Sequence, residues 1–266
     1  MLADRKQSRH IEVPAHALVI PDDAAALARG EYLYRSRGCA ECHGANGAGR
    51  VFAEGGGGLK LAAPNISPGA GSVVARYRAE DWERALRHGV KPDGRPLLVM
   101  PSEDHNRLTD ADLGAIVAHV RRLPPAAGGA AVLDMPLPMR VLYGFGPIPD
   151  AASLIDHRLA PAQPVPEAIS IEHGSCVANM CIGCHGQQLA GGRIASGPPD
   201  WPPAARLRPG EGNAMDCYPD ADLMLRMFRS GRSAGGAALQ AMPFETLREI
   251  SETDVRALHL YLKSLR

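Results

Sequence analysis

The sequence predicts an all-α protein built from two tandem modules, which a proline-rich segment joins. The chain has 266 residues, which is enough for two compact domains of ordinary size. A pattern of cysteine, histidine and methionine in the first half recurs in the second half. Helix start and stop signals occur in both halves, whereas neither half has the regular alternation of apolar and polar residues that is typical of strands.

The helices are predicted from their caps and their apolar periodicity. Asp22 or Asp23 is expected to cap a helix that carries Leu27, Gly30 and Tyr34 on one face. The other predicted helices are a segment from about Ala79 to His88 that ends at Gly89, its counterpart from about Asp220 to Ser230 that ends at Gly231, and final helices that open on the capping boxes Thr109-x-x-Asp112 and Ser251-x-x-Asp254.

The composition excludes some function classes. Lys+Arg 29 balances Asp+Glu 29 and the pI is about 7.1, so nothing favours a nucleic acid or an anionic membrane as partner. No apolar run is long enough to span a membrane, and no secretory signal is visible. Aromatic residues make up only 5% of the chain, so a bulky buried cofactor would supply apolar mass that the side chains lack. A helical core rich in Ala and Leu is the alternative.

Two short motifs predict that cofactor. Residues 39–43 read CAECH and residues 181–185 read CIGCH, and both fit the C-x-x-C-H attachment sequence of c-type haem. Two thiols at this spacing can form thioethers with the two vinyl groups of one porphyrin, and the adjacent His can ligate the iron. A zinc site would need further paired ligands, and a redox C-x-x-C would need a βαβ context. The sequence therefore predicts two covalently attached haem c groups, held by Cys39, Cys42, His43, Cys181, Cys184 and His185.

The distal ligands are predicted from the repeat. Shifting the first half by 142 positions superimposes the two motifs (181 − 39 = 142) and also superimposes Met100-Pro101 on Met242-Pro243. Each Met follows its haem His by 57 positions (100 − 43 and 242 − 185). A thioether ligand raises the potential of a haem iron and suits electron transfer, so Met100 and Met242 are predicted as the distal ligands. His88 and His105 are rivals near the first haem, but neither has a counterpart in the second module.

Further residues are expected around each haem. The ring N–H of a ligating His needs an acceptor, for which the carbonyl of Pro64 is expected in the first module and that of Pro199 or Pro203 in the second. Trp82 and Trp201 could donate hydrogen bonds to haem propionates.

Two cysteines remain after four are assigned to thioethers. Shifted back by 142 positions, Cys176 and Cys217 fall on Tyr34 and Ala75, so the first module lacks both. Their joint presence predicts a disulfide, with two free thiols or an intermolecular bridge as alternatives. Covalent haem and a disulfide both indicate an oxidising compartment outside the cytoplasm.

The domain boundaries follow from the proline pattern. We expect an N-terminal extension over residues 1–20, after a missing signal or membrane anchor, and domains over residues 21–124 and 167–266. The linker over residues 125–166 is too rich in proline for a long helix or a central strand. It is expected to form an ordered strap, because several apolar side chains in it need burial: Leu133, Met135, Leu137, Val141, Leu142, Tyr143 and Phe145.

The motif set resembles the dihaem and trihaem cytochrome c subunits of bacterial membrane-bound alcohol, aldehyde and gluconate dehydrogenases. The segments that carry the resemblance are Arg29-Gly30-Glu31-Tyr32-Leu33 before CAECHG, Ala63-Pro64-Asn65-Ile66-Ser67-Pro68, Val99-Met100-Pro101, Leu108-Thr109-Asp110, Asp216-Cys217-Tyr218-Pro219 and Ala241-Met242-Pro243-Phe244. The resemblance implies two class I cytochrome c domains, with the cysteines, His43, Met100, His185 and Met242 as haem residues. Because the chain lacks the third haem module of the trihaem subunits, an oxidase or a soluble cytochrome is expected as acceptor rather than a quinone.

The predicted function is transfer of electrons from a dehydrogenase to that acceptor in the periplasm, by a protein that is soluble or tethered to the inner membrane. The alternative is an enzyme similar to dihaem peroxidases, which would need one open or displaceable haem ligand. The paired Met-Pro elements favour the electron carrier over that enzyme.

Overall fold

The computed structural model describes residues 2–194, Gly197 and residues 201–265. The chain divides into two compact units, Met1–Ala162 and Gln163–Arg266. Within the described ranges, no helix has both the length and the apolar character needed to cross a bilayer.

The first unit contains eight helices and three strands among its described residues. The helices are α1 (Leu2–Gln7), α2 (Ala24–Ser36), α3 (Cys39–His43), α4 (Ala79–His88), α5 (Ser102–His105), α6 (Asp110–Arg121), α7 (Leu137–Phe145) and α8 (Ala151–Leu154). The strands are β1 (Val51–Gly55), β2 (Leu59–Ala62) and β3 (Val132–Asp134). The described part of the second unit contains α9 (Ile171–Ala178), α10 (Ile182–His185), α11 (Ala221–Ser230), α12 (Phe244–Leu247) and α13 (Glu252–Ser264), with 3₁₀ turns over Asn179–Cys181 and Ala214–Cys217.

The predicted helix caps are confirmed. Asp23 accepts a hydrogen bond from the Ala26 amide at the start of α2. Thr109 and Ser251 accept from the amides of Asp112 and Asp254 at the starts of α6 and α13. In both units the helix between the haem motif and the Met-Pro pair ends at a left-handed glycine, Gly89 or Gly231, as expected. Side-chain and glycine signals therefore fix the helix ends in both copies.

Each unit has its core where its first long helix crosses its last one. In the first unit α2 packs on α6 through Leu33, Tyr34 and Leu113, all nearly inaccessible to solvent. In the second unit α9 packs on α13 through Val177 and Leu258. The same crossing in both units puts the cysteine motif, which follows the first helix, beside the core.

The prediction of an all-α fold is wrong, because the first unit contains a three-stranded antiparallel sheet in the order β1-β2-β3. Strands β1 and β2 form a hairpin around the glycine-rich turn Gly56–Gly58, and β3 from the proline-rich segment pairs with β2, with Ala62 opposite Val132. The strands are only three to five residues long. Such short strands leave little alternation in the sequence.

The proline-rich segment is ordered through several contacts with the first unit. Besides β3, it supplies Asp150, which is buried and binds the guanidinium of Arg9 through both oxygens, at 2.6 and 2.8 Å. The hydroxyl of Tyr143 also donates to Asp150. The expectation that its apolar side chains are buried is only partly correct: Tyr143 is buried and Leu133 and Met135 are half-buried, whereas Leu137, Val141, Leu142 and Phe145 are exposed on α7.

The predicted disulfide is wrong, because no S–S bond joins Cys176 to Cys217 in the structure. The turn that contains Cys217 is instead tied to α13 by hydrogen bonds, from Lys263 Nζ to the Met215 carbonyl and from His259 Nε2 to the Tyr218 carbonyl. These bonds hold the turn without a covalent link to α9.

The prediction also rested on an alignment that the structure corrects. Gly30 and Gly174 occupy the same place at the helix crossing, nine positions before Cys39 (39 − 30) but seven before Cys181 (181 − 174). The shift on this helix is therefore 144, and Cys176 corresponds to Tyr32 rather than to Tyr34.

Candidate haem sites

A cavity of about 240 Å³ in the first unit brings the predicted haem residues together. Cys39, Cys42 and His43 line it from α3, and Met100 lines it from the loop before α5. Most of the remaining wall is apolar, with contributions from α4, α6 and the sheet: Phe52, Ala62, Ala85, Leu86, Ile116, Val120 and Leu133. An apolar cavity that collects two thiols, an imidazole and a thioether suits a covalently attached haem.

His43 is oriented by a backbone carbonyl. Its Nδ1 lies 3.0 Å from the carbonyl oxygen of Pro64, so Nδ1 carries the proton and Nε2 retains its lone pair. The predicted hydrogen bond to Pro64 is thus confirmed. Burial lowers the pKa of His43, although the Pro64 bond opposes this, so the neutral, ligand-competent form is favoured.

Cys39 and Cys42 lie side by side on α3. Burial, and secondarily the charge of Cys42, raises the pKa of the Cys39 thiol to about 12. A free thiol at this position would therefore stay protonated and would be a poor nucleophile in the folded chain. The site is suited to holding a thioether rather than to thiol chemistry.

The second unit repeats the proximal arrangement. Nδ1 of His185 lies 2.7 Å from the carbonyl oxygen of Ala205, which leaves its Nε2 as the potential ligand. Burial lowers the pKa of His185 as well. Ala205 is the acceptor in place of Pro203, and Pro199 lies outside the described residues. Cys181 and Met242 both pack against the core cluster of this unit, although Cys184 is exposed.

One buried N–H group on the first cavity tests whether a haem fits. Trp82 lines the cavity, and its Nε1–H has no hydrogen-bond acceptor among the described residues. An unpaired buried donor is costly, so a donor at a cavity wall indicates a ligand that carries an acceptor. A haem, which is apolar in its ring and carries two carboxylates, fits this wall.

Sequence reasoning missed an arginine in each unit that binds backbone carbonyls of the loop containing Met100 or Met242, and we call this contact the arginine clamp and residues 100–108 and 242–250 the Met loops. Arg87 donates to the carbonyls of Asn106 and Leu108, each at 2.8 Å. Arg229 donates to the carbonyls of Arg248 and Ile250. The signal was present, because Arg-x-Gly recurs at the end of α4 and of α11, but a repeated Arg does not by itself reveal which carbonyls it binds.

Comparisons with known proteins identify similar sequences. Residues 25–120 match the family described as cytochrome c oxidase, cbb3-type, subunit III. The gluconate 2-dehydrogenase cytochrome c subunit of Pantoea cypripedii is 28% identical over 268 residues, covering 91% of this chain and 60% of that protein. The cytochrome c subunit of the quinone-type alcohol dehydrogenase of Gluconobacter oxydans is 29% identical, covering 91% of this chain and 55% of that protein. The fructose dehydrogenase cytochrome subunit of Gluconobacter japonicus is 30% identical, covering 46% of this chain and 26% of that protein.

The chain thus spans between half and two thirds of the length of the first two of these relatives. The resemblance that the motifs predict is confirmed. The chain is similar to the cytochrome c subunits of bacterial dehydrogenases, and this similarity supports covalently bound haem c.

Proposed function

We propose that the chain is a dihaem electron carrier in which His43 and Met100 ligate the iron of one haem and His185 and Met242 that of the other. The observation that carries the proposal is the repeated proximal geometry: in each unit the His of the C-x-x-C-H motif donates Nδ1–H to a backbone carbonyl. This bond fixes the tautomer in which Nε2 can bind a metal. One iron in each unit would then exchange electrons without forming or breaking bonds.

The Met loops support the distal assignment. In both units the residue after the Met-Pro pair donates its amide to the Met carbonyl, Ser102 to Met100 at 2.8 Å and Phe244 to Met242 at 2.9 Å. The arginine clamps then hold the following residues of each loop. Equivalent loops that offer a thioether favour two coordinatively saturated irons, which suit electron transfer rather than catalysis at an open site.

The partners follow from the relatives, which are named as cytochrome subunits of gluconate, fructose and alcohol dehydrogenases. We infer that a dehydrogenase subunit reduces this chain and that a cytochrome or an oxidase reoxidises it. Covalent haem attachment supports a periplasmic location, either free or tethered to the inner membrane.

Haem quantification and spectroscopy of the purified holoprotein test the proposal. We expect two haems per chain and a near-infrared Met-to-iron charge-transfer band in the ferric state. Met100→Leu and Met242→Leu should each remove about half of that band and make one haem high-spin, because Leu offers no ligand atom. One haem per chain, or a stoichiometric high-spin signal in the unsubstituted protein, would refute the assignment, and the second result would favour a peroxidase-like activity.

A further inference from the structure

The two Met loops share most of their anchors. The arginine clamp is present in both. In addition, the side chain of Asn106 donates to the Arg87 carbonyl at 3.4 Å, and at the equivalent place Arg248 donates to the Arg229 carbonyl at 3.0 Å. The loops are therefore attached in the same way to the helices that precede them, α4 and α11.

The loops differ at two buried positions. In the first loop Ser102 donates to the Ala85 carbonyl at 2.9 Å, and His105 Nε2 lies 3.0 Å from the Arg37 carbonyl. The counterparts in the second loop are Phe244 and Leu247 (102 + 142 and 105 + 142), which have apolar side chains. At these two positions the first loop therefore has buried hydrogen bonds, whereas the second loop has apolar side chains.

The His105 bond links two parts of the first site that are far apart in sequence. Arg37 lies two residues before Cys39, at the entrance to α3, whereas His105 ends the short helix that follows Met100-Pro101. The bond therefore ties the loop that supplies the distal side chain to the segment that supplies the thioethers. In the second unit Leu247 has no polar side-chain atom with which to make such a tie.

The protonation of His105 follows from its surroundings. The Arg37 carbonyl can only accept, so Nε2 carries the proton and Nδ1 is unprotonated. The residue is 5% exposed, and burial lowers its pKa, so the imidazole stays neutral. Water has little access to this bond, and breaking it would leave a buried donor and a buried acceptor unpaired.

We propose that His105 is a positioning residue that holds the first Met loop closed and keeps Met100 at the iron of the first haem. The proposal rests on the proposed function, in which Met100 is a distal ligand. It assigns no contact between His105 and the haem, since the residue acts through the loop. The two haems should therefore differ, because the loop of Met100 has the His105 bond and the loop of Met242 has Leu247 in its place. Loss of the His105 bond should let Met100 leave its iron more readily.

In the ferric holoprotein, displacement of Met by added imidazole measures how readily each Met leaves its iron. Imidazole binds only after Met has left the iron, so the decay of the Met-to-iron band reports loop opening, with one phase for each haem. Met100→His removes the phase of the first haem and Met242→His removes that of the second, so the two variants show which phase belongs to which haem. We expect His105→Leu to accelerate the Met100 phase roughly tenfold, the factor expected for loss of one buried hydrogen bond, and to leave the Met242 phase unchanged.

Two variants distinguish a positioning role of His105 from a general loss of stability of the first unit. His105→Gln keeps a donor that can reach the Arg37 carbonyl, and we expect it to restore a rate close to that of the unsubstituted protein. His88→Leu removes another buried His of the same unit, outside the loop, and should leave the Met100 phase unchanged. Leu at position 105 should be tolerated, because the second loop folds with Leu247 at this place. If His105→Leu nevertheless fails to fold, His105→Ile provides the same measurement, because it also removes the donor and adds no ligand atom.

Unchanged rates in His105→Leu, equal acceleration of both phases, no rescue by Gln, or the same acceleration in His88→Leu would overturn the proposal. These results differ from failure of the proposed function, which would appear earlier as absence of the Met-to-iron band in the unsubstituted protein.

Discussion

Trp82 has a buried indole N–H that no described residue accepts, although the residue lies on the wall of the first haem cavity. Its side chain is 5% exposed, and its ring packs edge-on against Tyr77 at a centroid distance of 5.5 Å. A haem propionate is the acceptor that a cytochrome can supply at such a wall. The bond would stabilise the holoprotein and would offset part of the negative charge beside the iron.

We therefore expect Trp82→Phe to lower the free energy of unfolding of the holoprotein by about 1–3 kcal/mol. We also expect it to lower the reduction potential of one haem, because an unpaired carboxylate favours the ferric state. Denaturant unfolding and redox titration would measure the two effects. Trp201→Phe is the matched control, since Trp201 is 41% exposed and should change neither quantity. A Trp82→Phe protein with unchanged stability and potentials would contradict the assignment.

At the level of single residues, what the sequence predicts depends on whether a side chain or the backbone makes the contact. The predicted haem residues of the first unit are side chains with particular chemistry, and the structure places all of them on one cavity. The acceptor for each haem His is a backbone carbonyl, which every residue has. Pro64 was identified correctly, but for His185 the carbonyl belongs to Ala205, whose side chain gives no signal.

At the scale of elements, the two helix crossings depend on one glycine each. A Cβ on Gly30 would overlap the Ala115 carbonyl, and a Cβ on Gly174 would overlap the Ala257 carbonyl. A polar contact lies next to each glycine: the ion pair of Arg29 with Asp112 at 2.9 Å in the first unit, and the hydrogen bond of His173 Nε2 with the Asp254 carboxylate at 2.7 Å in the second.

We expect Gly30→Ala and Gly174→Ala each to destabilise the protein by about 1–3 kcal/mol or more, since the helices must move apart to admit the methyl group. Thermal unfolding of the holoprotein measures the loss. Gly129→Ala and Gly235→Ala are matched controls, one in each unit, because an added Cβ meets no atom within 3.8 Å at either site and the backbone is not left-handed. Equal melting temperatures for crossing and control variants would refute the close-contact argument.

The proline-rich segment is held to α4 by a pair of histidines. Nδ1 of His88 lies 3.0 Å from Nδ1 of His157, and Nε2 of His157 lies 3.0 Å from the Ala152 carbonyl. Since that carbonyl accepts the Nε2 proton of His157, neutral His157 must accept at Nδ1 from His88. Nε2 of His88 in turn faces the buried carboxylate of Glu83 at 3.5 Å. A second proton on His157 would place two N–H groups against each other and break the contact.

This geometry predicts release of the segment by acid. Burial, and secondarily the charge of His88, lowers the pKa of His157 in the folded protein. The released segment therefore binds more protons than the docked one, so docking is fully stabilised above the ordinary His pKa of about 6.5 and weakens as the pH falls below it. Hydrogen exchange of residues 153–160, corrected for intrinsic rates, should rise in acid. His157→Gln should remove that dependence, and a pH-dependent rise that persists in this variant would contradict the mechanism.

The element boundaries explain why helices were predictable here and the sheet was not. Helix ends carry local signals, such as Asp23, Thr109 and Gly89, which act within one turn. Strand β3 pairs with β2 across about seventy residues of sequence, and nothing in Val132–Asp134 identifies its partner. Pairings of this kind are decided by tertiary packing, which a single sequence does not display.

At the scale of the whole molecule, duplication makes most of the two sites predictable. A residue that recurs at the equivalent position of both copies is better explained by a shared role than by core packing in one copy. Duplication gives no information on parts that exist once. The proline-rich segment occurs once, so no second copy indicates its contacts, and its residues up to Ala162 group with the first unit through β3, Asp150 and Arg9. Cys176 and Cys217 likewise occur in one copy only, and there the disulfide prediction was wrong.

The boundary between the units gives a direct test of the haem count. Residues 163, 164 and 166–169 are exposed and lie outside regular secondary structure, next to the boundary at Ala162–Gln163. A protease specific for Glu should therefore cut the native holoprotein after Glu167, although Glu54 and Glu211 are exposed as well and are further sites of cleavage. The two products of a single cut after Glu167 each contain one C-x-x-C-H motif. Because thioethers survive denaturation, mass spectrometry should find one haem on each fragment, and cleavage of the haem-free chain serves as the control for fragment masses. A second fragment without haem mass would leave the cytochrome assignment intact but would disprove the dihaem proposal.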